Sequence, residues 1–134
     1  MILIDSSVWI AYFNGVISPA TDRLGFLLGA MPVCMGDIVL TEILQGFRRD
    51  EDFAIAKDLL SFLPIYNMLN TEIAYKSADN YRLLRKKGFT VRKTIDVIIA
   101  TFCIENDFAL LHCDKDFLPF HQTFDLRNAM DDIC

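Results

Sequence analysis

The sequence predicts a three-layer α/β/α sandwich built on a mainly parallel sheet, within one domain spanning residues 1–134. Three observations carry that expectation. Short apolar runs alternate with longer stretches of helical periodicity along the whole chain, the pattern of strands joined by crossover helices. The runs are apolar throughout, as strands covered on both faces are. The 134 residues, 53% hydrophobic and 23% charged, suffice for one core and are far from disordered composition.

In order along the chain, Ile2–Ile4 reads as a buried strand ending at Asp5, and Ser6–Phe13 as a helix. Ser18-Pro19 starts the next helix with a capping hydroxyl and a first-turn proline. Leu24, Leu27, Leu28 and Met31 follow at helical spacing until Pro32 stops them. Val33–Met35 is a second strand, and Asp37 to Phe47 a helix with Ile38, Leu40, Thr41 and Leu44 inward. Asp50–Leu63 is helical, closed by Pro64, and Ile65-Tyr66 is a short strand. Thr71 opens a longer helix with an expected apolar stripe of Ala74, Ala78, Tyr81 and Leu84, ended by Gly88. Thr94 can cap Ile95–Glu105, which is apolar on nearly every side and therefore central. Ala109–Leu111 is a strand, Asp114–Leu118 a turn or short helix, and Thr123–Leu126 a last edge strand.

Several function classes drop out early. The longest uncharged stretches, around Gly25–Gly36 and Val97–Ile104, fall short of the ~20 apolar residues that a bilayer span needs. No basic, cleavable leader precedes Ile2, so a cytoplasmic location is expected. Cys34, Cys103, Cys113 and Cys134 form no paired motif and read mostly as buried thiols in a reducing compartment. The spacing of His112, Cys113 and His121 matches no common zinc site. A mean hydropathy of +0.31 is high for a small chain. It leads us to expect a homodimer or a partner covering apolar surface.

The formal net charge of −5 argues against nucleic-acid binding at first sight. Its distribution argues differently. Between Asp79 and Asp96 there is no acid, while Arg82, Arg85, Lys86, Lys87, Arg92 and Lys93 all fall there. Such a stripe is either a polyanion-binding surface or a solvated helix face.

The acids carry the chemistry. Ligands of open parallel sheets bind outside the carboxyl ends of the strands. Asp5 follows the first strand, and Asp114 and Asp116 follow Ala109–Leu111. Glu42 can reach the same edge from its helix, and Asp96 opens the most apolar helix of the chain. Singly, each has a plain alternative: a helix cap, a dipole partner or a solvated side chain. Together they repel, since two like charges ~4 Å apart cost on the order of 4 kcal/mol at an effective dielectric of 20. Such a cluster takes up protons or binds a cation, and oxygen-only ligands suit Mg²⁺ or Mn²⁺. A divalent ion at an acidic rim suits displacement at phosphorus by an activated water. No Ser–His or Cys–His pair and no glycine-rich phosphate loop offers a rival chemistry. Asp5 also lacks the second aspartate, at position 7, of a haloacid-type phosphatase.

At these residues the chain resembles the PIN-domain family, specifically the VapC toxins of toxin–antitoxin pairs. The matching stretches are ILIDSSVWIAYF at 2–13, VLTEILQGF at 39–47, TIDVIIATFC at 94–103 and ALLHCDKDFLPF at 109–120. The resemblance implies a magnesium-dependent endoribonuclease acting on structured RNA, tRNA or ribosomal RNA. Its acids match Asp5, Glu42, Asp96 and Asp114, with Asp116 a fifth candidate ligand. Ser6 and Ser7 match hydroxyl positions beside the first aspartate, where they orient it or the metal's water. The family also implies a homodimer held in check by a cognate VapB-like antitoxin. His112 departs from the usual threonine, and Thr101 and Cys103 from alanines; a core or supporting histidine is expected at 112. The stripe from Arg82 to Lys93 would hold RNA. The alternative is a catalytically silent dimeric module whose acids capture an arginine of an antitoxin-like partner.

Overall fold

Two runs of branched aliphatic residues form the centre of the molecule, whose computed structural model describes residues 1–130. Cys134 and the end of the expected 1–134 domain lie outside the described residues. β1 (Ile2–Ile4) and β4 (Ala109–Leu111) are buried at every position and pair in parallel, Ile2 with Ala109 through Ile4 with Leu111. β2 (Val33–Gly36) flanks β1 on the other side, and β3 (Ile65–Tyr66) extends the sheet beyond it. The order is β3-β2-β1-β4, all parallel, as the apolar runs predict.

The connections are helical: α1 (Ser6–Phe13), α2 (Pro19–Ala30), α3 (Asp37–Gln45), α4 (Asp50–Leu60), α5 (Thr71–Lys86) and α6 (Thr94–Asn106). A 3₁₀ turn (Lys115–Phe117) and α7 (Leu118–Thr123) follow β4. α1 packs on α2 and α3, and α3 on α4, whereas α5 packs on α6. The chain steps outward from β1 to β3 and then returns to β4 on the opposite flank of β1. Right-handed crossovers therefore place the two helix groups on opposite faces of the sheet. That topology puts a switch point between β1 and β4, where open α/β sheets bind ligands.

Local signals act as expected at several ends. Ser18 and Thr21 form a reciprocal capping box, with Thr21 N–H to Ser18 Oγ at 3.2 Å and Ser18 N–H to Thr21 Oγ1 at 2.9 Å. Asn70, one residue before the expected start, caps α5 by accepting from Ile73 N–H at 2.9 Å. Gly88 leaves α5 at φ +90°, a conformation that side chains disfavour. At Gly36 the requirement is space, because the wholly buried Met68 fills the place of a side chain.

Other expectations are corrected. Residues 123–126 form no strand: they complete α7 and turn away, with Phe124 N–H bonded to Phe120 and the Leu126 carbonyl bonded to His121. The free edge of β4 is met slightly later, by a single parallel bridge from Leu110 to Asn128. α4 ends at Leu60, where the Ser61 hydroxyl bonds the Asp58 carbonyl at 2.6 Å; the segment to Leu63 is not helical, and Phe62 is 81% exposed. α3 ends at Gln45 and turns Val39 and Ile43 fully inward, with Thr41 exposed. On α5 the buried positions are Ile73, Ser77 and Leu84, leaving Ala74, Ala78 and Tyr81 on the outside of the α5/α6 pair. α6 begins at Thr94 itself, with no side-chain cap from Lys93 before it. Cys34 and Cys103 are buried thiols, but Cys113 is exposed.

The Gly36–Met68 contact yields a test. A Cβ at position 36 would lie 2.1 Å from Met68 Sδ and 2.8 Å from its Cγ. Gly36→Ala is expected to cost about 1–3 kcal/mol, as overpacked cores do. Urea unfolding with an unchanged m-value and a lowered midpoint would show it.

Candidate active site

The switch point collects the acids. Asp5 leaves β1 at its carboxyl end, is 5% exposed, and serves as the N-cap of α1. Ser7 donates its amide, at 3.2 Å, and its hydroxyl, at 2.5 Å, to Asp5 Oδ2. The capping role read from sequence is therefore real, and it fixes the carboxylate in place at the cleft.

From β4 the chain passes through His112 and Cys113 to Asp114, whose Oδ1 accepts from Asp116 N–H at 2.9 Å. This turn folds both acids toward α6. Carboxylate oxygens of Asp96, Asp114 and Asp116 lie within 4.8 Å of one another. Asp5 faces Asp96 and Asp114 electrostatically, and Glu42, entering from α3, faces Asp5 and Asp96. The five acids expected from sequence thus meet here, Asp96, Asp114 and Asp116 by the proximity of their oxygens and Asp5 and Glu42 through their electrostatic influence on the others.

Burial and repulsion both show in the proton affinities. Burial pushes the Asp96 carboxyl up to about 6, and the charges of Asp5, Asp114 and Glu42 add to this against Lys93. Asp5 is raised by burial, with the Ser7 hydrogen bonds pulling the other way and Asp114 adding to the rise. Glu42 is raised by burial and then by Asp5, while Ser6 and Lys93 oppose the shift. The Ser6 side chain thus acts on Glu42, while the Ser6 amide joins Ser7 in acting on Asp5.

Two oxygens in this site, Glu42 Oε1 and Asp96 Oδ2, are buried without a hydrogen-bond partner. Stripped acceptors of this kind are costly unless something positive meets them. The donors around them are carboxylate oxygens, the ligand type of a hard divalent cation. The nearby soft donors are occupied or protonated. His112 Nε2 is bonded to His121 Nε2 at 2.8 Å, and burial followed by the Asp5 charge raises the Cys113 thiol. The residues fit Mg²⁺ or Mn²⁺, with Asp5, Glu42, Asp96, Asp114 and Asp116 as the available ligands.

The basic stripe divides. Arg92 and Lys93 line a cleft of about 570 Å³ together with Ser7, Cys113, Asp114, Lys115 and Asp116. Arg82, Arg85, Lys86 and Lys87 instead stand exposed at the end of α5, with Arg85 over the Tyr81 ring at 5.6 Å. Lys115 is a cleft residue that sequence reasoning missed. Its position between Asp114 and Asp116 was the available signal.

A parallel sheet with an acidic switch point beside lysine and arginine describes a class of nuclease folds. Residues 2–120 match the PIN-domain family model, and the chain belongs to that family. Within it the chain falls with the VapC proteins. It is 34% identical over 119 residues to ribonuclease VapC11 of Mycobacterium tuberculosis, covering 87% of this chain and 89% of that one. Solved structures share its fold. VapBC2 from Rickettsia felis, bound to a DNA fragment of its promoter, superposes with a TM-score of 0.74 at 20% identity, over 96% of this chain and 97% of that one. VapBC-1 from nontypeable Haemophilus influenzae gives 0.71 at 21% identity, over 98% and 100%.

The raised carboxyl of Asp96 makes stability depend on pH. Its folded value of about 6 lies above the ordinary 3.8, so the native state holds the proton more tightly between those values. That contribution is lost as pH rises through the window and stays lost above it. His112, lowered to about 4 by burial, contributes in the opposite sense over much of the same range. The parent's own slope is therefore blunted, and the comparison with Asp96→Asn isolates the acid. Without metal, Asp96→Asn is expected to melt about 5 °C above the parent at pH 7, with the gap closing by pH 4. Calorimetric scans of both proteins in chelator across that range check this.

Proposed function

We propose that this chain is a divalent-metal-dependent endoribonuclease, the toxin of a toxin–antitoxin pair, that cuts structured RNA such as tRNA or ribosomal RNA. The observation that carries the reading is the pair of buried, unpartnered oxygens on Glu42 and Asp96 within a five-acid site. The likeness to a named VapC ribonuclease supports the substrate class.

Asp5, Asp96, Glu42, Asp114 and Asp116 hold the cation, Mg²⁺ or Mn²⁺. When bound, it offsets their repulsion, lowers the pKa of water and stabilises charge at phosphorus. The protein's own groups prepare that chemistry. Ser7 fixes the Asp5 carboxylate, while Ser6 and Lys93 hold Glu42 closer to ionisation. Arg92, Lys93 and Lys115 receive the RNA backbone at the cleft rim, where the net negative charge of the chain does not prevail. Arg82, Arg85, Lys86 and Lys87 extend the contact along α5.

The partners follow from exposed apolar surfaces. A groove between α1, α2 and α4, lined by Trp9, Tyr12, Phe13, Leu28, Leu59 and Leu63, fits an amphipathic helix of a VapB-like antitoxin. The second groove, between α5 and α6, exposes Ala74, Ala78 and Tyr81 with Leu69 and Ile98, and we assign it to a homodimer. Residues 1–134 act as one PIN-like unit in the cytoplasm. No helix among the described residues is long and apolar enough to cross a membrane.

Asp5→Asn is expected to lower RNA cleavage in Mg²⁺ by more than about a hundredfold, since even residues one shell out from a metal cost 10–100-fold. Cleavage at the parent rate would refute the metal assignment. Absence of Mn²⁺ binding in calorimetry would favour the silent-module reading. In light scattering the chain is expected at about twice 15.3 kDa, and Tyr81→Glu at the monomer mass.

A further inference from the structure

One pair of titratable side chains beside the site has a role that metal binding alone does not require. His112, 8% exposed, lies at the end of β4, and half-buried His121 lies on α7. Their Nε2 atoms are 2.8 Å apart. The rings are 17° from coplanar with centroids 5.0 Å apart, an edge-to-edge arrangement joined through one hydrogen bond. Phe117 packs against His112 with centroids 4.8 Å apart and closes it off from water.

The outer ends of this pair settle where its protons sit. Asp114 N–H can only donate, and it meets His112 Nδ1 at 3.3 Å. The Leu126 carbonyl can only accept, and it meets His121 Nδ1 at 2.8 Å. His112 Nδ1 is therefore the acceptor, and its proton is on Nε2. That proton is donated to His121 Nε2, which leaves the His121 proton on Nδ1, directed at Leu126. Both rings are neutral in this arrangement, and no other assignment of two neutral rings makes all three bonds.

We propose that His112 and His121 are positioning residues that fix the backbone of Asp114, and through it the Asp114 carboxylate, by an ordered chain of three hydrogen bonds from the Leu126 carbonyl. The inference rests on the metal-site reading above. Asp114 has one side-chain oxygen committed to Asp116 N–H and shares the cluster with Asp96 and Asp116. A shift of its main chain would carry its carboxylate out of that cluster. His121 orients the His112 ring, and the ring presents Nδ1 to the Asp114 amide.

The test separates positioning from space-filling. The side-chain oxygen of Asn stands near the place of ring Nδ1, whereas Gln is closer in size to His and reaches toward Nε2. His112→Asn is expected to keep Mn²⁺ affinity within about threefold of the parent and His112→Gln to lose about tenfold, the range of outer-shell partners. Calorimetry with Mn²⁺ reads both. The reverse order, or equal affinity in all three proteins, overturns the proposal. A second measurement needs neither metal nor variant. ¹⁵N shifts of the parent's imidazoles are expected to show His121 protonated on Nδ1 and His112 on Nε2, and any other tautomers overturn it. A parent that binds no Mn²⁺ refutes the metal reading instead, and the tautomers still decide the hydrogen-bond chain.

Discussion

The repulsion among buried carboxylates at one end of β1 and β4 is the constraint around which this molecule is arranged. Pairing of Ile2–Ile4 with Ala109–Leu111 buries both strands completely and fixes their common direction. Acids placed just after each strand must then emerge at one edge. Core packing thus buries Asp5 and Asp96 beside Asp114, and burial first, with mutual repulsion added to it, makes the Asp5 and Asp96 carboxyls hold their protons unusually well. A divalent cation would satisfy the same geometry without protons, and its binding would then be coupled to folding.

The surrounding contacts keep that tension localised. Ser7 gives Asp5 two hydrogen bonds to one oxygen, so the acid also serves as the cap of α1. Asp37, another acid at this edge, is satisfied differently: its Oδ1 accepts from Ile38 N–H and Met68 N–H at 2.8 and 3.0 Å. It ties the exit of β3 to the start of α3. Carboxylates at the same sheet edge thus divide by partner, with backbone amides for Asp37 and mutual proximity for the site acids. The two histidines extend this support to Asp114 from the far side of the turn.

Charge and hydropathy acquire meaning only once located. A chain with net charge −5 sets Arg92, Lys93 and Lys115 in the same cleft as Asp114 and Asp116, which offsets the acids locally. The apolar excess lies in part on the groove of α1, α2 and α4 and in part on the groove of α5 and α6. The two surfaces share no lining residue with each other or with the acidic cleft.

The sequence by itself determined the strand–helix alternation, the parallel sheet and the acids at its edge. The physical reason is that strand burial and strand direction follow from local apolar runs and crossover lengths, and an acid following a strand inherits that direction. Glu42 and Asp96 were legible for a related reason, as acids set into amphipathic or apolar helices. Only the tertiary structure decided what depends on contacts between distant segments. It left Ala74, Ala78 and Tyr81 exposed along the α5–α6 groove because α5 buries itself through Ile73, Ser77 and Leu84. It replaced the expected strand at 123–126 with a turn held by His121. It also brought Lys115 to the cleft and joined His112 to His121, nine positions apart, across a turn whose path no periodicity records.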